Sequence, residues 1–187
     1  MRHKYVTPGI VLARNATSEA SSFITVLTPD LGVLRAKAQG IRKPGAKLAP
    51  AVQTLSESDI SLVRGKEGWR LAGAILTYNW FQKLEGMQRI RAGRVANLLV
   101  RLVPGQMQEP ELHQIYSEFL RILPTLTETQ QDAAECLAAL RILRTLGLDT
   151  EPLPEGEVFS ETMLADITDD RKEVIVRINR GITASGL

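Results

Sequence analysis

Five short β-rich segments follow one another within the first 78 residues, and this spacing limits the possible fold more than any other feature of the chain. The segments are Tyr5–Arg14, Ser22–Thr28, Gly32–Gln39, Val52–Val63 and Trp69–Thr77. Short strands separated by turn residues are typical of small barrels, in which closure of the sheet removes exposed edges. The sequence therefore predicts a five-stranded barrel, most economically an OB-fold.

The second and third segments are predicted to form a hairpin, because Pro29 and Gly32 are suited to a tight turn between them. In the third segment, Arg35 and Lys37 alternate with small and apolar residues. Successive side chains of a strand point to opposite faces of the sheet. We therefore expect this strand to present two cations to solvent and apolar groups to a core.

From about Asn79 onward, apolar residues recur with helical spacing. Helices are predicted over about 80–84 and 87–103, between Pro110 and Pro124, from a capping box at Thr127 to a stop at Gly147, and over 164–182. The predicted fold class is therefore α+β, an OB-fold β-barrel followed by an α-helical bundle. We expect a nucleic-acid-binding domain over residues 1–78 and a helical domain with an acidic C-terminal segment over residues 79–187.

The charge is distributed unevenly along the chain. Residues 1–80 hold eleven Lys and Arg against five Asp and Glu, a net charge of +6, whereas residues 151–187 carry −4. A basic half indicates a polyanionic partner, most commonly nucleic acid, although a solvated basic surface without a partner is also common. The candidate nucleic-acid-binding residues are Arg35, Lys37, Arg42, Lys43, Lys47, Arg64, Lys66 and Arg70.

Two aromatic residues of the predicted strands, Phe23 and Trp69, are candidates for stacking on bases. We expect Phe23 to belong to the core instead, because Ile24 and Val26 lie next to it. With few stacking residues available, the barrel is predicted to bind the nucleic-acid backbone with little sequence preference.

No motif or cluster of residues supports an enzyme. The chain lacks a P-loop, GxGxxG, GxSxG and HExxH, so no catalytic residue is assigned. Cys136 is predicted to be a buried core residue, and His3 and His113 are isolated, so no metal or other cofactor is expected. No apolar run could span a membrane, and the N-terminus does not resemble a signal peptide, so we expect a cytoplasmic protein without a membrane partner or a small-molecule substrate.

The order GIVL, LT, G, AKAQGIRKP and KLAPAVQ over about the first 75 residues resembles the N-terminal domain of the RecO family. The helical part resembles that family more loosely, through 140–143 and 146–148. The resemblance implies a non-enzymatic mediator of recombinational DNA repair. Such a protein binds single- and double-stranded DNA, promotes annealing, and works with RecR to load RecA in place of single-stranded DNA-binding protein.

The resemblance also implies that the helical domain contacts the acidic, apolar-ended tail of single-stranded DNA-binding protein. A groove for that tail needs cations at its rim. The candidates are Arg91, Arg94 and Arg101 on one predicted helix and Arg141 and Arg144 on another. Many members of the family carry a four-cysteine zinc module where this chain has residues 149–156, which contain no cysteine, so a plain loop is predicted there.

Two other functions remain open at this point. The barrel alone would also suit an RNA-binding protein of the OB-fold class. A scaffold that has lost DNA binding is the second alternative, against which the net charge of +6 on residues 1–80 counts.

Overall fold

The structure, a computed structural model, describes residues 4–17, 21–41, 45–103, 105–153 and 158–186. These residues form two compact units, one made of Met1–Lys83 with Val103–His113 and the other of Leu84–Leu102 with Gln114–Leu187. The first unit contains all five strands and the second contains most of the helices. The predicted fold class, an OB-fold barrel followed by a helical part, is confirmed.

The strands are β1 (Lys4–Ala16), β2 (Ser21–Thr28), β3 (Gly32–Gln39), β4 (Ser56–Gly65) and β5 (Gly68–Asn79). They close into a barrel in the order β1-β2-β3-β5-β4. β1 is long enough to pair with β4 through its first half and with β2 through its second half, and its register shifts between Val11 and Ala13. Such a β-bulge bends a strand, which lets one strand serve both sides of the closed sheet.

The barrel core is formed by the inward-facing residues of all five strands, among them Val11, Ile24, Leu34, Ile60 and Trp69. Close packing also explains why glycine occupies two positions of the barrel. A Cβ on Gly9 would lie 2.7 Å from Cγ1 of Val26, and a Cβ on Gly32, whose φ is +67°, would lie 1.9 Å from the carbonyl oxygen of Met107. Any side chain at these positions would have to displace its neighbours.

The fourth strand begins later than the sequence predicted. Pro50–Val52 forms a short 3-10 helix, in which the fixed φ of Pro50 suits the first turn. Leu55 then adopts a φ of +66° and donates its backbone N–H to the carbonyl of Val11, at 2.8 Å. Val52 is fully buried in the barrel core. It is therefore a core residue in a helical turn, and the prediction of a strand from Val52 was wrong.

The helices are α1 (Trp80–Lys83), α2 (Gly86–Leu102), α3 (Pro110–Ile122), α4 (Glu128–Thr145), α5 (Glu161–Asp169) and α6 (Arg171–Ala184). α4 packs against α2, α5 and α6 and is the centre of the second unit. The predicted capping box is present, with Thr127 as the N-cap and Gln130 completing it. The prediction of helix over 164–182 is confirmed, but two helices cover the segment because Asp170 leaves helical geometry at φ −92° and ψ 16°.

Candidate nucleic-acid interface

The outer face of β3 carries the cations that the alternating pattern predicted. Leu34, Ala36 and Ala38 are buried in the barrel, whereas Arg35 is exposed and Lys37 is half-buried on the opposite side of the strand. The apolar residues fill the core because they have no polar group to solvate. The same alternation then directs both cations outward.

Strand pairing extends this face across the sheet. Lys37 lies directly opposite Phe23 on β2, and it also pairs with Arg70 on the parallel strand β5. Neighbouring strands lie about 5 Å apart, so Phe23, Lys37 and Arg70 form one row about 10 Å long. The guanidinium of Arg70 donates a hydrogen bond of 3.0 Å to Oε1 of Gln39, which holds it beside β3.

Phe23 is part of this outer face and does not belong to the core, so the prediction that it is buried was wrong. Its side chain is half-buried, and Cζ of Arg35 lies 4.1 Å from its ring centroid, a cation–π contact. Ile24 and Val26 occupy the inner face of β2. Because strand neighbours alternate, their burial directs Phe23 outward, and the spacing within β2 could have shown this.

Of the two candidates for stacking on bases, Trp69 is the one that belongs to the barrel core, with 6% of its surface exposed. Its ring meets that of Tyr5 edge to face, with the centroids 5.2 Å apart. Cζ of Arg64 lies 5.5 Å from the Trp69 ring centroid. Trp69 therefore packs the barrel and supports Arg64, and it does not offer a free surface for stacking.

The turn between β4 and β5 continues the cationic face. A groove of about 600 Å³ is lined by Arg64, Lys66 and Arg70 together with Val63, Gly65 and Glu67. Val63 pairs with Arg70 across the two strands, so the groove adjoins the row that contains Lys37. Three cations against one carboxylate leave the groove positive.

The structure thus brings together five of the eight predicted nucleic-acid-binding residues: Arg35, Lys37, Arg64, Lys66 and Arg70. We call this group the cationic barrel face. Lys47 is exposed in the turn before the 3-10 helix and belongs to none of the strands. Arg42 and Lys43 lie outside the described residues.

The arginines predicted to contact a partner protein differ in their surroundings. Arg91 is buried, and its guanidinium donates to Asp132 at 3.0 Å and to Glu135 at 2.6 Å, which ties α2 to α4. Burial opposes its charge, but the hydrogen bonds to Glu135 and Asp132 outweigh burial and raise the pKa of Arg91. Arg91 therefore binds acidic residues of the helical unit itself and is not exposed to a partner protein.

The other four arginines differ in how much of the side chain is exposed and in whether it already has a partner within the helical unit. Arg94 lies 3.5 Å from Glu135, yet 60% of its side chain is exposed, and Arg101 is also exposed. Arg141 is only 17% exposed and lies 3.5 Å from Glu118. Arg144 donates a hydrogen bond of 3.0 Å to the carbonyl of Glu151. Arg94 and Arg101 of α2 therefore remain the most available of the candidates, whereas Arg141 and Arg144 of α4 are engaged within the unit.

Cys136 is buried, as predicted, and burial raises the pKa of its thiol to about 11. Such a thiol is protonated at neutral pH and unreactive. Over the described ranges, no three His, Cys, Asp or Glu side chains lie close enough together to hold a metal ion. None of the helices in the described part of the chain has the length and apolar character needed to cross a bilayer.

A closed barrel of this strand order, with a cationic outer face and a second, helical unit, defines a protein of the OB-fold class. Residues 1–77 match the model of the family described as "Recombination protein O N terminal". The chain is also similar to proteins named "DNA repair protein RecO". That of Heliobacterium modesticaldum is 30% identical over 145 residues, which are 76% of this chain and 51% of the relative.

Two further relatives of the same name agree with this match. The protein of Dehalococcoides mccartyi (strain 195) is 26% identical over 136 residues, which are 68% of this chain and 51% of the relative. That of Synechocystis is 28% identical over 126 residues, 67% of this chain and 46% of the relative. The chain is thus similar to the RecO family, with a family-model match over residues 1–77, and it spans about half the length of the curated relatives it matches.

Proposed function

We propose that this chain is a non-enzymatic mediator of recombinational DNA repair that binds the DNA backbone through the cationic barrel face. The observation that carries the proposal is the continuity of these cations. Lys37 pairs with Arg70, and Arg35 lies two residues from Lys37 on the same face of β3. Arg70 in turn lines one groove together with Arg64 and Lys66. In OB-folds, oligonucleotides commonly bind on the face of the second and third strands and on the turn between the fourth and fifth. Arg35 and Lys37 of β3 and Lys66 of the β4–β5 turn lie at these places.

Binding of this kind works through phosphates. Each cation that neutralises a phosphate releases condensed counterions, so affinity falls as salt rises. Phosphates are present in single and double strands alike, so the face is suited to both forms of DNA and carries little sequence information. We include Arg42, Lys43 and Lys47, which form a basic stretch of the sequence, among the proposed DNA contacts.

Similarity to the RecO family supports the wider role. The matched relatives are named as DNA repair proteins. We extend the proposal to annealing of complementary strands and to loading of RecA together with RecR. None of these steps requires a catalytic residue, because annealing and loading depend on binding and release of strands.

The exposed face of α2 supports a contact with the acidic, apolar-ended tail of single-stranded DNA-binding protein. Met87 and Ile90 are 42% and 49% exposed and precede Arg94 and Arg101 on the same side of the helix. Apolar anchors next to exposed cations are what such a tail needs. Arg141 and Arg144 are the alternative, and both already have partners within the unit.

The test of DNA binding is a set of isotherms for a single strand and a duplex at several salt concentrations. Changing Lys37 and Arg70 together to Ala should lower the salt slope by about 1.4 on the single strand and about 1.8 on the duplex. Lys83→Ala with Lys172→Ala is the matched control, because both lysines are exposed and neither belongs to the cationic barrel face. Wild-type protein that shows no salt-dependent binding would overturn the proposal.

Two further measurements separate the alternatives. Acceleration of annealing between complementary DNA strands is expected of a recombination mediator. Stronger binding to RNA than to DNA of the same sequence, without annealing, would favour an RNA-binding protein. For the tail, charge reversal of Arg94 and Arg101 should abolish binding of an acidic peptide and spare DNA binding, whereas reversal of Arg141 and Arg144 should spare both.

A further inference from the structure

Phe23 is a large apolar residue on the outside of a small barrel. The inner positions of β2 on either side of it, Ser22 and Ile24, are buried, and the ring itself lies on the solvent side. A phenylalanine there contributes less to the core than one facing inward. Because the ring is partly exposed on the outer face, it is accessible to a ligand.

The surroundings of the ring are polar and cationic. Lys37 lies directly opposite Phe23 on β3, and Asn15 lies opposite it on β1. Arg35 pairs with Thr25 and reaches diagonally across to place Cζ 4.1 Å from the ring centroid. Phe23 and Arg35 thus form a stacked pair, with an amide on one side and an ammonium group on the other.

A stacked arginine offers a flat surface that a nucleic-acid base can use. Bases splayed out of a strand stack on aromatic rings and on the planes of guanidinium groups. The ring below holds the guanidinium in place, so less side-chain freedom is lost when a base arrives. In a duplex, both faces of each base are already covered by its neighbours, so only an unpaired strand can supply a free base.

We propose that Phe23 and Arg35 form a platform on which one base of an unpaired strand stacks, while Lys37 and Arg70 bind the phosphates beside it. This inference rests on the proposed DNA binding by the cationic barrel face, and it adds a preference for single strands that phosphate contacts alone do not provide. The cations bind either form of DNA, and the platform favours the unpaired form.

The test compares a single strand, a duplex and a single strand of abasic sites, all of one length. Phe23→Leu keeps an apolar side chain but removes the ring that holds the Arg35 guanidinium in place, and it should weaken binding of the single strand by roughly fivefold, the lower end of the loss for a stacked base. Binding of the duplex and of the abasic strand should stay within about twofold, with unchanged salt slopes, because the phosphate contacts remain. Phe23→Trp, which restores a ring, should retain the affinity for the single strand.

A base analogue gives a second measurement. The fluorescence of 2-aminopurine within a single strand depends on stacking. It should therefore change on binding to the wild-type protein and to Phe23→Trp, and it should change less on binding to Phe23→Leu. The matched control is Lys37→Ala, which should weaken all three DNA forms alike. Equal losses on single strand and duplex in Phe23→Leu, or no loss on either, would overturn the platform and leave the cationic barrel face intact. Absence of salt-dependent binding by the wild-type protein would overturn both.

Discussion

The guanidinium of Arg177 on α6 binds the carboxylate of Asp149 through two hydrogen bonds, 2.7 Å from Nε to Oδ1 and 2.5 Å from Nη2 to Oδ2. The same guanidinium also donates to the carbonyl oxygens of Glu151 and Pro152. One arginine thus ties the described part of the segment after α4 to the last helix. This is the segment for which the sequence predicts a plain loop in place of a zinc module.

Removal of this arginine should destabilise the protein. The Asp149 side chain is only 2% exposed, so Arg177→Ala would leave a buried carboxylate without its partner. We expect a loss of about 3 kcal/mol in the free energy of unfolding. Arg180→Ala is the matched control on the same helix, because its pair with Glu151 is 62% and 51% exposed and should contribute less than about 1 kcal/mol. Urea denaturation measures both, and equal losses would contradict the assignment.

Stability should also fall in acid. Hydrogen bonds from Arg177 hold the pKa of Asp149 below its ordinary value of 3.8, and those from Arg171 and Arg91 do the same for Asp132. A carboxyl group whose pKa is lower in the folded chain than in the unfolded chain contributes its full stabilisation above the unfolded pKa. That contribution is lost as the pH falls through the folded pKa.

We therefore expect the free energy of unfolding to decrease as the pH is lowered below about 5, with the loss continuing below 3.8. Urea denaturation at a series of pH values measures this. In Arg177→Ala, the contribution from Asp149 is already absent, so the difference between wild type and variant should shrink in acid. A difference that stays constant at every pH would count against the assigned pKa shift.

The capping box of α4 gives a prediction of local stability. Thr127 accepts a hydrogen bond from the backbone N–H of Gln130 at 3.4 Å, and its own N–H donates to the Gln130 side chain at 3.0 Å. Thr127→Ala should cost about 1 kcal/mol, because helix N–H groups lose their acceptor. Thr129→Ala, an exposed change in the first turn, should stay within about 0.5 kcal/mol. Thermal denaturation distinguishes the two, and indistinguishable variants would refute a role for the cap.

The basic stretch of sequence that contains Arg42, Lys43 and Lys47 gives a prediction about DNA. Changing Arg42, Lys43 and Lys47 together to Ala should weaken binding similarly for every DNA sequence and reduce the salt slope by up to roughly three units. A control that removes Lys83, Lys172 and Arg180 deletes the same charge from other parts of the chain. An affinity and salt slope that match wild type would show that these three residues do not bind DNA.

Local features of the structure could be predicted from the sequence with few errors. The alternation in β3, the turn that includes Pro29, the capping box at Thr127 and the burial of Cys136 depend on near neighbours along the chain. The largest error in the strands was at Val52, where an apolar residue was assigned to β4. Val52 is buried because a short helical turn carries it into the barrel core. Its apolar side chain alone does not distinguish such a turn from a strand.

The fold class could be inferred from the sequence alone, because strand and helix periods and the residues that end them are local properties. The sign of the charge on the barrel and the identity of its cations could be read in the same way. The arrangement of those cations depends on strand register. The pairing of β3 with β5 brings Lys37 beside Arg70, and the diagonal contact between Arg35 and Phe23 has the same origin.

The arginines of α2 also show the difference between what the sequence determines locally and what only the folded chain decides. Arg91 and Arg94 lie three residues apart in the sequence, and no local pattern distinguishes them. In the folded chain, Arg91 is buried and paired with Asp132 and Glu135 of α4, whereas most of the Arg94 side chain remains exposed. Contacts between residues far apart in the chain arise from barrel closure and helix packing, and they are therefore visible only in the tertiary structure.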